Sequence, residues 1–245
     1  MRVLRCPVVE LRQYTLHPGQ RDVLIDLFDR EFVESQEAVG ATVLGQFRDL
    51  DDPDRFVWLR GFQDMESRAG ALEGFYGGPV WKTHRDEANA TMIDSDDVLL
   101  LRPASAHGGF PEPAVTRPAP GEPAPSPPSL VLATIWYGRR PFDTEFAEFF
   151  RQRVRPVLAG TGGEPLAYLQ SEHAPNTFPA LPVRTGEEVF VWFARFADVH
   201  RMDDHLDRLR RSAPWREEVL PVLSQRWARD PQHLRLAPTD RSLLR

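Results

Sequence analysis

Ten side chains in the first hundred residues combine types that do chemistry with spacings that can bring them together. Glu10, Arg12 and Tyr14 fall at every second position, Gln46 is followed two residues on by Arg48, and Trp58 by Arg60. Such spacing puts each set on one face of an extended strand. Trp81, His84 and Asn89 lie close together in a stretch of helical periodicity. If the strand face turns toward that helix, these groups converge on one cavity. His84, Arg60 and Tyr14 are then the expected catalytic groups. An imidazole with an ordinary pKa of about 6.5 can act as a base near neutrality, and His84 could equally be an axial haem ligand. Glu10, Arg12, Gln46, Trp58, Trp81 and Asn89 are the expected ligand-binding groups, a few polar side chains against an aromatic wall.

Each of these residues also has a plainer reading. Glu10 with Arg12 or Arg60 makes a structural ion pair, and Arg60 can snorkel to the sheet edge. Trp58 and Trp81 fit a hydrophobic core, and His84 a core histidine with its hydrogen bonds satisfied. No cluster has zinc-type spacing, and there is no glycine-rich phosphate loop or nucleophile elbow. No metal site is expected.

The strand carrying Trp58 and Arg60 occurs twice. FVWLRGF, Phe56 to Phe62, returns as FVWFARF, Phe190 to Phe196, at an offset of 134, and the same offset carries Asp64 onto Asp198 and Trp81 onto Trp215. Both copies are aromatic and β-branched on both faces, as in a strand covered on both sides. Around the repeat the first half reads as a strand over Val8 to Thr15, a helix over Gln20 to Phe32 closed by Gly40, and strands over Ala41 to Arg48 and Phe56 to Phe62. A helix capped by Asp64, a second opened by Pro79 and a short strand over Val98 to Arg102 follow. The order β-α-β-β-α-β is the ferredoxin-like arrangement.

Three segments are expected: a first domain over 1–103, a linker over 104–129 and a second domain over 130–245. Nine prolines between Pro103 and Pro128 make the linker too broken to pack. In the second copy Leu132, Thr134, Trp136 and Ala194 stand where the first has Glu10, Arg12, Tyr14 and Arg60, and Glu218 stands at His84. A single polar site in the first half is therefore expected, with the second half completing the fold. The extra residues of the second copy lie in Ser171 to Glu187, a proline-containing loop of the kind that serves as a lid or is disordered.

The net charge of −6 offers no basic stripe for nucleic acid. The one cysteine, Cys6, excludes a disulfide framework. No apolar run approaches the ~18 residues that span a bilayer, and the N-terminus lacks the apolar core of a secretory signal. A soluble, cytoplasmic protein is expected, without nucleic-acid or membrane partners.

ELRQYTLHPG, FVWLRGF and FYGGPVWKTHRDEANATM, with the VLLLRP strand, resemble the NIPSNAP family over about residues 8–103. The second half is similar in outline but lacks most motif residues. The resemblance implies a dimeric α/β-barrel, here an α+β chain of two tandem ferredoxin-like repeats packing sheet to sheet as an intramolecular pseudo-dimer, open to further homo-oligomerisation. The superfamily includes cofactor-independent monooxygenases, haem-using enzymes and small-molecule binders. The expectation is a small-molecule-processing, monooxygenase-like enzyme with no cofactor or with haem; the alternative is a non-catalytic small-molecule-binding or scaffold protein.

Overall fold

Alternating apolar side chains on eight strands line the inside of one closed barrel. The computed structural model describes residues 3–122 and 125–245. The strands are β1 (Val8–Leu16), β2 (Thr42–Asp49), β3 (Arg55–Phe62), β4 (Met92–Pro103), β5 (Leu130–Gly138), β6 (Pro165–Ser171), β7 (Glu188–Phe196) and β8 (Trp227–Pro238). Their order around the barrel is β1-β3-β2-β8-β5-β7-β6-β4, with β4 returning to β1. Within the first half the order is β4-β1-β3-β2, and β8-β5-β7-β6 repeats it in the second. The halves join edge to edge through β2–β8 and β4–β6. Where packing of sheet on sheet was expected, the halves close edge to edge into one hydrogen-bonded barrel, which leaves no edge open among the described strands.

Val9, Leu11, Val57 and Leu59 from the first half meet Val131, Ala133, Val191 and Phe193 from the second in one buried cluster. The interior is a packed core, as barrels of about eight strands generally are. The alternate residues, including Glu10, Arg12, Trp58 and Arg60, face outward under the helices. Several pairings shift register, and the shift in β2 bears on which side chains face inward. β2 bulges between Val43 and Gly45 against β3, so Leu44 and Phe47 join the interior cluster while Val43 packs under the helices.

The helices are α1 (Arg21–Leu27), α2 (Val33–Glu37), α3 (Met65–Tyr76), α4 (Pro79–Thr91), α5 (Thr144–Phe149), α6 (Arg155–Gly160), α7 (Val199–Arg211) and α8 (Leu220–Arg226). A π-helical turn, Phe28–Phe32, joins α1 to α2, and Phe150–Val154 joins α5 to α6 at the corresponding place. Asp64 caps α3 by accepting from the Ser67 amide at 2.7 Å, and Asp198 caps α7 from the Arg201 amide at 2.8 Å. Gly40 and Gly162 take left-handed backbone at φ 98° and 102° to end the first helical unit of each half. No helix among the described residues is long and apolar enough to cross a membrane.

Residues 104–129 hold no helix or strand among those described, yet part of the segment packs, contrary to expectation. Phe110 is 2% exposed and lies 5.0 Å from the Phe193 ring inside the barrel core. Its carbonyl accepts from the Leu4 amide, and the Tyr168 amide donates to Gly108. Polar composition did not prevent one aromatic side chain from closing a barrel end. Arg117 further along donates to both Glu37 carboxylate oxygens at 2.9 Å.

Candidate functional site

A carboxylate with three arginines on it lies buried beneath the helices of the first half. Antiparallel register places Glu10 opposite Arg60 and Arg12 opposite Trp58 on β1 and β3. Glu10 Oε2 accepts from Arg12 Nη1 and from Arg60 Nε, each at 2.8 Å, and Oε1 accepts from Arg68 Nε at 2.7 Å. All four side chains are 0% exposed. Arg12 Nε donates to the Tyr14 hydroxyl at 3.0 Å, and Arg60 Nη1 to Gln36 Oε1 at 2.9 Å. The Trp58 ring lies under two guanidiniums, 5.4 Å from Arg12 and 5.1 Å from Arg60, a cation–π arrangement that partly offsets their desolvation.

Three guanidiniums against one carboxylate leave a formal charge of +2 in a site without solvent contact. Among the described residues no other carboxylate reaches the three arginines. Burial pushes the Glu10 carboxyl up, but the fields of Arg60, Arg12 and Arg68 outweigh it and hold the group well below the usual carboxylate range. Burial pushes the Tyr14 phenol up despite the pull of Arg12, so its hydroxyl proton is retained. Arg60 Nη2 and Arg68 Nη2 are buried without a hydrogen-bond partner. A buried excess of positive charge with free donors is the composition of an anion site.

The loop after β6 covers this cluster from the second half. Arg68 Nη1 donates to Asn176 Oδ1 at 2.9 Å and to Thr177 Oγ1 at 3.2 Å. Phe178 stacks on Tyr76 with ring centres 5.9 Å apart. The loop read from sequence as a lid or a disordered segment packs across the barrel seam against Arg68 and Tyr76. Beside the cluster, Tyr14, Gln36, Trp58, Tyr76 and Trp81 line a cavity of about 30 Å³, room for little more than a water molecule.

Of the nine residues singled out from sequence, Glu10, Arg12, Tyr14, Trp58 and Arg60 stand together, and Trp81 borders the same small cavity. The other three lie apart. His84 is at the helix rim, its Nε2 3.7 Å from Glu31 and its Nδ1 3.6 Å from Glu87. Asn89 is exposed. Gln46, though buried, donates to Asp29 at 3.0 Å. Helical periodicity put His84 and Asn89 near the buried face; in α4 that face is occupied by Ala88 and Thr91. His84 does not line the cavity beside the cluster, and that cavity, at about 30 Å³, falls far short of the several hundred Å³ that cofactor pockets offer.

Arg68 escaped the sequence reading, although a signal was present. It shares a helix face with Ala71, Leu72 and Phe75, all buried, and an arginine on such a stripe needs a buried partner. At the repeat offset of 134 its counterpart is Met202, also buried. All four charged members of the cluster are therefore apolar or uncharged in the second half: Leu132, Thr134, Ala194 and Met202.

Residues 9–106 match the NIPSNAP family model. A comparison with curated proteins finds no match. Among solved structures, the chain is similar to a Fusobacterium nucleatum protein provisionally described as a monooxygenase, with TM-score 0.57 and 10% identity over 96% of this chain and 93% of that one. An anthrone oxidase-like protein gives TM-score 0.57 and 12% identity over 95% and 91%. A NIPSNAP domain protein from Burkholderia xenovorans gives TM-score 0.37 and 18% identity over 41% of this chain and 96% of that one. At such identities the first two likenesses establish the α/β-barrel fold alone.

Proposed function

Residues 9–106 of this chain are a NIPSNAP domain, and from that premise we propose that the domain binds a small anionic molecule against Arg60 and Arg68. One observation carries the reading: the buried cluster has a formal charge of +2 and two guanidinium nitrogens without partners. A water molecule can satisfy a donor but leaves the charge uncompensated; a carboxylate, phosphate or enolate does both. Tyr14, Trp58 and Trp81 supply the wall for an attached ring, and Asn176 to Phe178 move aside to admit anything larger than a single small ion. We read each half as a ferredoxin-like unit, supported by the repeated strand order, with the halves as an intramolecular pseudo-dimer. We read the setting as cytoplasmic, which cell fractionation would test.

A monooxygenase-like activity is the second reading, supported by the fold of the structural neighbours and by the fitness of an arginine pair to hold an enolate or phenolate. Binding is preferred because no poised base touches the cluster among the described residues. Glu10 is held deprotonated by three arginines and is a poor proton acceptor, and His84 faces the two glutamates at the rim.

The test is thermal unfolding with chloride, acetate, benzoate and phosphate at matched ionic strength, alone and in Arg68→Met, which installs the second half's residue. A ligand at 100 times its dissociation constant stabilises by about 2.7 kcal/mol. At least one anion is expected to raise the midpoint of the wild type and not of the variant. Equal shifts in both proteins, or none in either, would overturn the reading.

A further inference from the structure

The second half holds the larger cavity, about 420 Å³ between β5, β7, β8 and the helices α7 and α8. Its place corresponds to the small cavity of the first half: Trp58 and Trp81 line the one, and their counterparts Trp192 and Trp215 the other. The sequence explains the difference in size. At the repeat offset of 134, Phe75 becomes Leu209 and Tyr76 becomes Arg210; at 122, Phe32 becomes Val154. Phe32, Phe75 and Tyr76 all wall the first-half cavity, so each change withdraws an aromatic ring from the space between sheet and helices. The volume left is nearly three times the ~150 Å³ that suffices for benzene in a dry apolar cavity.

What this space meets is mostly hydrocarbon. Its floor is Leu132, Trp136 and Trp192, all buried, and its half-buried sides are Trp215, Trp227, Leu206, Leu220 and Pro231. Thr134 and His233 at the wall hold each other, Oγ1 to Nδ1 at 3.1 Å, and the Arg210 guanidinium donates to Asp207. The indole nitrogens of Trp192 and Trp227 are buried away from the space, so these rings turn carbon toward it. Little polar surface is left to an occupant, and a polar atom carried inside gives up its water without compensation. Removal of apolar area from water is then the driving force, and indole faces and edges favour an aromatic ring.

We infer that this cavity is a second ligand site, separate from the arginine cluster, for a flat aromatic hydrocarbon of two or three fused rings. The volume sets the number of rings, and the carbon lining sets the absence of polar atoms. The rings lie over the floor of Trp136 and Trp192, between Trp215 and Trp227. None of the lining residues belongs to the anion site of the first half, so either site can fail without the other.

The experiment uses the full chain with naphthalene as probe and quinoxaline, the same bicyclic outline with two ring nitrogens as acceptors, as control. Binding is read by calorimetry and by the indole N–H resonances of the six tryptophans, which sense the ring current of a bound aromatic. Naphthalene is expected to bind saturably, at least ten-fold more tightly than quinoxaline, and to shift the Trp215 and Trp227 resonances most. The double variant Leu209→Phe, Arg210→Tyr installs the first half's rings and is expected to weaken naphthalene at least ten-fold. Leu206→Trp fills the cavity from a half-buried position and is expected to do the same, which keeps the test decisive if the double variant does not fold; near-ultraviolet circular dichroism checks each. No saturable binding by the wild type, quinoxaline bound as tightly as naphthalene, the largest shifts at Trp58 or Trp81, or undiminished binding to either folded variant would each overturn the inference.

Discussion

Arg68 on α3 and Asn176 in the loop after β6, 108 positions apart, are joined by a 2.9 Å hydrogen bond from Nη1 to Oδ1. Through this bond the second half of the chain covers a charged site that belongs to the first. Asn176 is itself braced, its Nδ2 donating to the Leu181 carbonyl at 3.0 Å. Replacing Asn176 and Phe178 by alanine should release the loop while leaving the barrel intact. Amide exchange over about residues 173–186 should quicken, and association of any anion that occupies the cluster should accelerate. The loss of one hydrogen bond to a charged donor should cost about 1.5–3 kcal/mol. Unchanged exchange in the double variant would mean that other contacts hold the loop, with the Arg184–Asp97 pair at 3.0 Å the first to examine.

Glu10 should be far less dispensable by itself than together with its partners. Glu10→Leu strands three buried guanidiniums, and breaking a buried ion pair by removing one partner costs about 3–5 kcal/mol. The fourfold change Glu10→Leu, Arg12→Thr, Arg60→Ala, Arg68→Met transplants the residues that the second half uses at the same places. It should be more stable in urea than the single change. A fourfold variant less stable than Glu10→Leu would show that the cluster holds the first half together.

Acidification should expose two opposing groups. Burial pushes Asp29 up to about 6 against the pull of Thr239, Gln46 and Arg241. A carboxyl raised on folding favours the folded state as pH falls from about 6 toward its unfolded value, and Asp49, also raised by burial, acts in the same sense. Burial lowers His205 to about 4. A depressed histidine supports the folded state fully above about 6.5 and loses that support as pH falls toward 4; His233 works the same way. Glu10 contributes its change only below the ordinary glutamate range, so the interval from about pH 6.5 to 5 isolates the other groups. Asp29→Asn should make stability fall more steeply across that interval, and His205→Asn should make it fall less or rise. Each slope should change by at most about 1.4 kcal/mol per pH unit. Urea midpoints measured at the two ends test this; identical slopes in both variants would refute the assignment.

Phe110→Ala should destabilise the whole barrel, because the ring packs against Phe193 in the shared core. Phe→Ala at buried sites costs about 3–5 kcal/mol. Cleavage at the exposed Gly121 should cost far less and leave the halves together on a sizing column, since β2–β8 and β4–β6 hold them. Separation of the cut halves would mean that the covalent connection, rather than strand pairing, maintains the assembly.

How far the sequence could be read depended on how local each feature was. The FVW strands and the Asp64 cap are set by a few neighbouring residues, and they stood where alternation and capping chemistry put them, with Asp198 repeating the cap at the offset of 134. So did the outward polar face of β1 and β3, which carries Glu10, Arg12 and Arg60. The β2 bulge was invisible because it is defined against β3. Asn176 reaching Arg68 is a contact across the barrel, with no periodic trace in either segment. The larger cavity of the second half is a difference in volume among side chains from five elements, of which Leu209 in place of Phe75 is one. The repeat offset of 134 carries that substitution, but a leucine on a helix reads as core and gives no sign of the space beside it.

Covalent joining of the halves also lifts a constraint of symmetry. Two identical copies paired into the same barrel would have to repeat every substitution, so a buried arginine cluster on one side would impose another on its mate, and a wide cavity likewise. Here Arg60 faces no second arginine but Ala194, and Leu209 no second leucine but Phe75. A single molecule can therefore carry a buried arginine cluster in one half and a wide cavity in the other.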